Sequence, residues 1–274
     1  MLQILSFLTT QNIKKTQFII WVQNYFSVKI TNKIFNKFGK FLTDGTIHIK
    51  VLNLTDLCSK GFFKKYFTEC ISTKNENSIA YSDFIRFLVL YKYGGIYTDG
   101  DVFFLRDMKP FYSKNFVHRW SASEDYNTAV MGLQVESKKV ENIYKEIFKN
   151  IEATKLSLVN GFYPSRIKAA IKKLSYGDIY NYPYLKVYHS ALFDPAWLCN
   201  DGVLPRLNDQ VVCVFSEFYD TIVKADEFDM KKFYNGAFTF HLHLNNCGKC
   251  IIDTTSYFYH IQSYFNTKLT HLLL

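Results

Sequence analysis

Two periods of apolar spacing alternate along the first hundred residues. Leu2 to Thr10 and Ile30 to Phe38 carry apolar residues at helical spacing, and each precedes a short β-branched run, Gln17 to Val22 (QFIIWV) and Ile47 to Leu52 (IHIKVL). Such αβαβ alternation predicts an α/β fold with a largely parallel sheet covered by helices. A longer helix is predicted over Ile79 to Tyr93, with Asn77-Ser78 as its cap and Gly94-Gly95 as its stop. A strand broken by a polar triplet follows: Ile96-Tyr97-Thr98, then Asp99-Gly100-Asp101, then Val102-Phe103-Phe104-Leu105. Beyond Pro110, strands are expected near 116–120 and 128–135 and helices near 137–150 and 165–174, with mixed structure afterwards. With no internal repeat and no linker, residues 1–274 are expected to form a single domain.

The Ile79 to Tyr93 helix is apolar on every side, the pattern of a buried helix. Asp83 and Arg86 are its exceptions, and a buried ion needs a partner because desolvating an unpaired charge costs several kcal/mol. They can pair with each other at i, i+3, worth about 0.2–0.5 kcal/mol on an exposed helix, or face a polar ligand; their apolar surroundings favour the ligand. In an extended chain Asp99 and Asp101 project to the same side, and Gly100 between them lets other atoms approach the backbone. Paired carboxylates suit hard cations such as Mn²⁺ or Mg²⁺, which complete their shell with water and phosphate oxygens. An EF-hand is excluded, since counting Asp99 as the first loop position puts Phe104 where glycine is required.

Composition changes this picture little. The 48% hydrophobic and 21% charged residues with 12 Gly and 5 Pro describe a globular chain, not a disordered or collagenous one. The net charge of +9 could suggest nucleic acid, but the lysines are scattered in ones and twos, and Lys, Phe and Tyr are inflated together as an AT-rich genome would do. No nucleic-acid partner is expected. No apolar stretch is long enough to cross a membrane and the start lacks a basic signal region, so a soluble, cytoplasmic chain with thiol cysteines is expected. Cys247-Gly248-Lys249-Cys250 has CxxC spacing without a second such pair, a weak zinc signal.

The ensemble Ser82-Asp83, Arg86, Tyr93-Gly94-Gly95-Ile96-Tyr97, Asp99-Gly100-Asp101 resembles the DXD glycosyltransferases of family 32 type, whose pattern runs S-D-x-x-R and then G-G-x-Y-x-D-x-D. That family includes α-1,4-galactosyltransferases and initiating α-1,6-mannosyltransferases, and the clostridial toxin glucosyltransferases share its core. Weaker likeness extends to Gln17–Leu54, Asn127–Val135, Phe193-Asp194-Pro195 and Phe240-His241-Leu242-His243. The resemblance implies a GT-A fold with a nucleotide-sugar half before about residue 110 and an acceptor half after it. It implies a nucleotide-sugar donor, UDP ahead of GDP, a glycan or other hydroxyl acceptor, Mn²⁺ or Mg²⁺ on the diphosphate, and retention of configuration. By residue, Ser82, Asp83, Arg86, Gly95, Tyr97, Asp99 and Asn127 would bind the donor, Asp99, Asp101 and His241 the metal, with Asp83, Arg86, Asp99 and Asp101 as the catalytic set. The residues that would hold the base are not assigned.

Two neighbouring carboxylates could also serve a glycoside hydrolase as acid and nucleophile, without metal. A DxD phosphatase is disfavoured because its motif usually follows the first strand. A non-catalytic sugar-binding protein of the same fold is the alternative from another class, and the intact set of Asp83, Arg86, Asp99 and Asp101 argues against it.

Overall fold

The computed structural model describes residues 1–22, 27–72, 79–123, 125–155, 157–179, 182–200, 216–220, 222–244 and 253–273. The elements begin with α1 (Leu2–Thr10), β1 (Phe18–Val22), α2 (Ser27–Thr43), β2 (Ile47–Val51), α3 (Leu54–Cys58), α4 (Phe67–Ile71) and α5 (Ile79–Tyr93). Next come β3 (Gly95–Thr98), β4 (Val102–Phe104), β5 (Phe116–Arg119), β6 (Tyr126–Leu133), α6 (Lys138–Thr154) and α7 (Pro164–Leu174). The remainder are β7 (Lys186–Tyr188), α8 (Ala196–Asn200), α9 (Glu217–Asp220), β8 (Thr239–His241) and α10 (Tyr257–Leu273). The class is mixed α/β. The elements gather into two compact units, one of Met1–Asn53, Gly100–Lys109 and Gly202–Leu274, the other of Leu54–Asp99 and Pro110–Asp201.

In the first unit β1 and β2 pair in parallel, Phe18 opposite Ile47, while β4 and β8 pair antiparallel, Val102 opposite His241. Helix α1 buries Leu2, Ile4, Leu5, Phe7 and Leu8 and packs on β4 and α10. Its polar residues stitch the segment around β4 in place: the Phe104 N–H donates to Ser6 Oγ at 2.9 Å, and Gln11 receives the Met108 N–H and donates to the Arg106 carbonyl, each at 2.9 Å. These long-range bonds satisfy backbone groups of β4 and of the segment that follows it. Helix α10 buries Tyr257, Ile261, Phe265 and Leu269, one stripe at i, i+4 spacing.

In the second unit four strands run in the order β3-β6-β5-β7. β6 is buried along its whole length and pairs antiparallel with β3 and β5; β5 and β7 are parallel. The pairing is therefore mixed, where the sequence pattern led us to expect mainly parallel strands. The cause is local: the Trp120 N–H donates to the Asp125 carbonyl at 2.6 Å, closing a short turn between β5 and β6, and a turn that short can only reverse the chain. Helix α5 buries Ala80, Tyr81, Phe84 and Phe87 to Tyr91, with the Phe84 and Phe87 rings against Phe162. It stops at Gly94, whose N–H bonds to the Leu90 carbonyl at 2.8 Å and whose φ of +66° turns the chain into β3.

Asn77-Ser78, expected as the cap of α5, and the CxxC at 247–250 lie outside the described residues. Helix α2 runs longer than its apolar spacing suggested and breaks its helical geometry at Phe38. The cysteine expectation needs correcting at one position: Cys58 and Cys70 are buried free thiols, but Cys199 is disulfide-bonded. Among the described residues no helix is long and apolar enough to cross a membrane.

Candidate functional site

The polar residues of α5 do not stand alone in its apolar shell. Asp83 and Arg86 are 3% and 5% exposed, and the guanidinium is the hub of a bonded group built from α5, β3 and β6. Arg86 Nη2 lies 3.3 Å from Asp83 Oδ1 and 3.1 Å from Asp99 Oδ1, and it donates to Ser82 Oγ at 3.1 Å. Nη1 donates to Thr128 Oγ1 at 3.0 Å and Nε to the Ser82 carbonyl at 3.3 Å. One face of the guanidinium lies over the Tyr97 ring, 4.7 Å from its centroid. The Tyr97 hydroxyl donates to Asp99 Oδ1 at 2.8 Å, and the Asp99 N–H donates to the Ala129 carbonyl at 2.8 Å. The i, i+3 pairing and the sharing of Arg86 with a second carboxylate thus occur together.

Burial drives the electrostatics. It pushes the Asp83 carboxyl up to about 6, against the pull of Arg86 and the Thr128 hydroxyl, and the nearby Asp99 carboxylate adds to the rise. Burial likewise raises the Tyr97 phenol, with Asp99 reinforcing and Arg86 opposing, so Tyr97 remains a hydrogen-bond donor at neutral pH.

In the other unit, β4 and β8 place Asp101 beside His241. Asp101 Oδ1 lies 3.1 Å from His241 Nε2, and Asp101 Oδ2 accepts the Leu244 N–H at 3.2 Å. Burial alone would raise this carboxyl, but the bonds and charge of His241 and the Leu244 N–H outweigh it and hold Asp101 below the usual carboxylate range. The Asp101 carbonyl accepts the Leu242 N–H at 2.9 Å, extending the ladder past β8. β8 ends at His241; His243 has a φ of +49°, and its ring sits 3.8 Å from that of His241.

Of the residues singled out from the sequence, Ser82, Asp83, Arg86, Tyr97 and Asp99 form one bonded group, and Asp101 and His241 form a pair. Gly95 opens β3 with a φ of +96°. Asn127 stands apart from the Arg86 bonds: its Oδ1 accepts the Ala129 N–H at 2.8 Å and its Nδ2 donates to Asp194 Oδ2 at 3.4 Å. The residue the sequence reading missed is Thr128, buried on β6 between Arg86 and Asp83. Its only signal was position, directly after Asn127 in a segment already singled out.

Residues 7–127 match the family described as the glycosyltransferase sugar-binding region containing a DXD motif. Among solved structures, the PaToxG glycosyltransferase is similar at 17% identity and a TM-score of 0.44, over 64% of this chain and 63% of that one, so this chain spans less than two thirds of that protein's length. No curated protein matches the chain. The matched stretch contains Asp99-Gly100-Asp101, a D-x-D triplet of the kind that names the family.

Proposed function

We propose that the protein is a single-domain, metal-dependent glycosyltransferase of GT-A type. It moves a hexose or related sugar from a nucleotide-sugar donor, UDP-linked ahead of GDP-linked, to a hydroxyl of a glycan or other acceptor, with retention. The observation that carries this reading is the bonded Ser82–Asp83–Arg86–Tyr97–Asp99 group, with Asp83 and Arg86 buried at its centre. Burying a carboxylate and a guanidinium, with a second carboxylate half-buried beside them, is costly compared with an apolar core, and a site that must recognise sugar hydroxyls is a reason to bear that cost.

The donor set suits a divalent cation. Asp101 offers carboxylate oxygen, His241 imidazole nitrogen beside it, and Asp99 a second carboxylate two residues along the chain. Carboxylate with one imidazole is a combination that favours Mn²⁺ over Mg²⁺. When bound, the metal supplies charge that stabilises the departing nucleoside diphosphate.

The chain's own residues do the rest. Arg86 holds Asp83 and Asp99 in fixed orientations, and Tyr97 fixes Asp99 from the other side. Asp83 orients the donor sugar through hydroxyl contacts, which sets geometry at the anomeric carbon without making it a nucleophile. Ser82 anchors Arg86 through its hydroxyl and carbonyl. Gly95 and Asn127 complete the donor side.

Titrating the protein with UDP, GDP and their hexose conjugates, with and without Mn²⁺ and alongside donor hydrolysis, tests this reading. Metal-dependent binding and slow hydrolysis of a nucleotide sugar are expected; undiminished hydrolysis in excess EDTA would point to metal-free chemistry and overturn it.

A further inference from the structure

Thr128 Oγ1 sits 3.0 Å from Arg86 Nη1 and 3.2 Å from Asp83 Oδ1, on a strand residue that is 2% exposed. A guanidinium can only donate, so the threonine oxygen accepts from Arg86. Its single proton is then committed to Asp83 Oδ1. The same Oδ1 also receives Arg86 Nη2 at 3.3 Å. Both interactions the carboxylate makes among the described residues therefore fall on one oxygen, and Oδ2 carries neither.

Two bonds from different directions, one from its own helix and one from β6, fix the rotation of a carboxylate where one bond would leave it free to turn. The strand brings Thr128 to this place through its register: Thr98 pairs with Val130, and the Asp99 N–H bonds to the Ala129 carbonyl, so the hydroxyl one residue away is set as firmly as the ladder itself.

We propose that Thr128 is a positioning residue for the donor sugar: its hydroxyl, locked between Arg86 and Asp83, turns the Asp83 carboxylate so that Oδ2 is the atom offered to a sugar hydroxyl. This rests on the assignment of Asp83 to the sugar made above and names the residue that makes the contact directional. Thr128 acts through Asp83 and does not itself touch the donor.

The test compares Thr128→Val, which keeps the β-branched shape and loses the hydroxyl, with Thr128→Ser, which keeps the hydroxyl and loses the methyl. Calorimetric titration with UDP-glucose, UDP-galactose, UDP-N-acetylglucosamine and GDP-mannose, each against its bare nucleoside diphosphate in Mn²⁺, reads the preference for sugar over no sugar. Thr128→Val is expected to lose about tenfold of that preference, the scale of one hydrogen bond to a charged group, with affinity for the bare diphosphate unchanged. Thr128→Ser is expected to keep it. Should Thr128→Val not fold, Thr128→Cys, a far weaker donor, is judged by the same ratio. An unchanged ratio in the hydroxyl-free variant, or an equal loss in Thr128→Ser, overturns the inference and leaves the glycosyltransferase reading standing. A wild-type protein that binds none of these sugars better than its bare diphosphate overturns the sugar assignment of Asp83, and this inference with it.

Discussion

His241 Nε2 and Asp101 Oδ1 are 3.1 Å apart although 140 positions separate them in the sequence. β8 exists as a partner of β4, with His241 directly opposite Val102, so the pairing of two three-residue strands is what brings imidazole and carboxylate together. His241→Ala is expected to lower turnover by about tenfold or more if the imidazole supports the diphosphate charge, and to weaken the preference for Mn²⁺ over Mg²⁺. His243→Ala should have a smaller effect, though not none, because its ring lies against that of His241. Steady-state rates in the two metals decide this, and unchanged turnover and metal preference in His241→Ala would leave it a packing residue.

Arg86→Ala and Asp83→Ala should differ in kind. Removing the guanidinium strands two carboxylates, Asp83 and Asp99, and breaking a buried ionic group by deleting one member typically costs about 3–5 kcal/mol. Removing Asp83 leaves Arg86 still bonded to Asp99, Thr128 and Ser82. Thermal melts should therefore show Arg86→Ala as the less stable variant. Asp83→Ala, where folded, should lose preference for the nucleotide sugar over the bare nucleotide. Equal loss of both ligands would remove Asp83 from the sugar.

Asp83 also makes a pH prediction whose sign is fixed by its raised pKa. The native state keeps the Asp83 proton up to about pH 6, while the unfolded chain gives it up near 3.8. Between those values the native state binds more protons, so this group's contribution to stability declines as pH rises from about 4 to 6, by up to about 3 kcal/mol. Asp83→Asn should remove that decline. The difference in melting temperature between wild type and Asp83→Asn, followed from pH 4 to 7, isolates the effect from other carboxylates such as Asp101, whose lowered pKa acts in the opposite direction. A difference that stays constant with pH would contradict the assignment.

Gly94→Ala should destabilise the junction of α5 and β3 by about 1–3 kcal/mol. Its φ is +66°, and an added Cβ would come within 2.9 Å of the Val135 backbone nitrogen. Gly95→Ala meets the same backbone penalty at φ +96°, with no described atom within 4 Å of the new Cβ. Denaturant titration of both variants should rank Gly94→Ala as the worse.

Much of this was legible in the sequence because local pattern and local structure agreed. α1, α5 and α7 start or end within a residue or so of where apolar spacing and glycine placed them, and the polar triplet separates β3 from β4 as read. α10 was lost in the aromatic excess: the stripe Tyr257, Ile261, Phe265, Leu269 is present, but Tyr259, Phe258 and Tyr264 fill the faces between its members and blur the period. The strand directions depended on a turn hydrogen bond at Trp120 that no periodicity announces. Ser82, Asp83, Arg86, Tyr97 and Asp99 could be singled out as a set from one stretch of chain. Thr128 could not, because a threonine in a buried strand has ordinary β-propensity, and only the register of β6 against β3 reveals what its hydroxyl meets.

The packing of α1 against α10 has a consequence for how the protein is made. Leu2 to Thr10 is synthesised about 250 residues before the helix that covers its apolar face, and β8, which β4 needs, comes only shortly before that helix. During translation Leu5, Phe7 and Leu8 must wait without their final neighbours, while Leu54–Asp99 and Pro110–Asp201 can begin to condense. Closure of the unit that contains Asp101 and His241 is then a late event governed by contacts of very long sequence separation, the slow kind. A nascent chain that ends before residue 239 has neither the strand that pairs with β4 nor the histidine that meets Asp101.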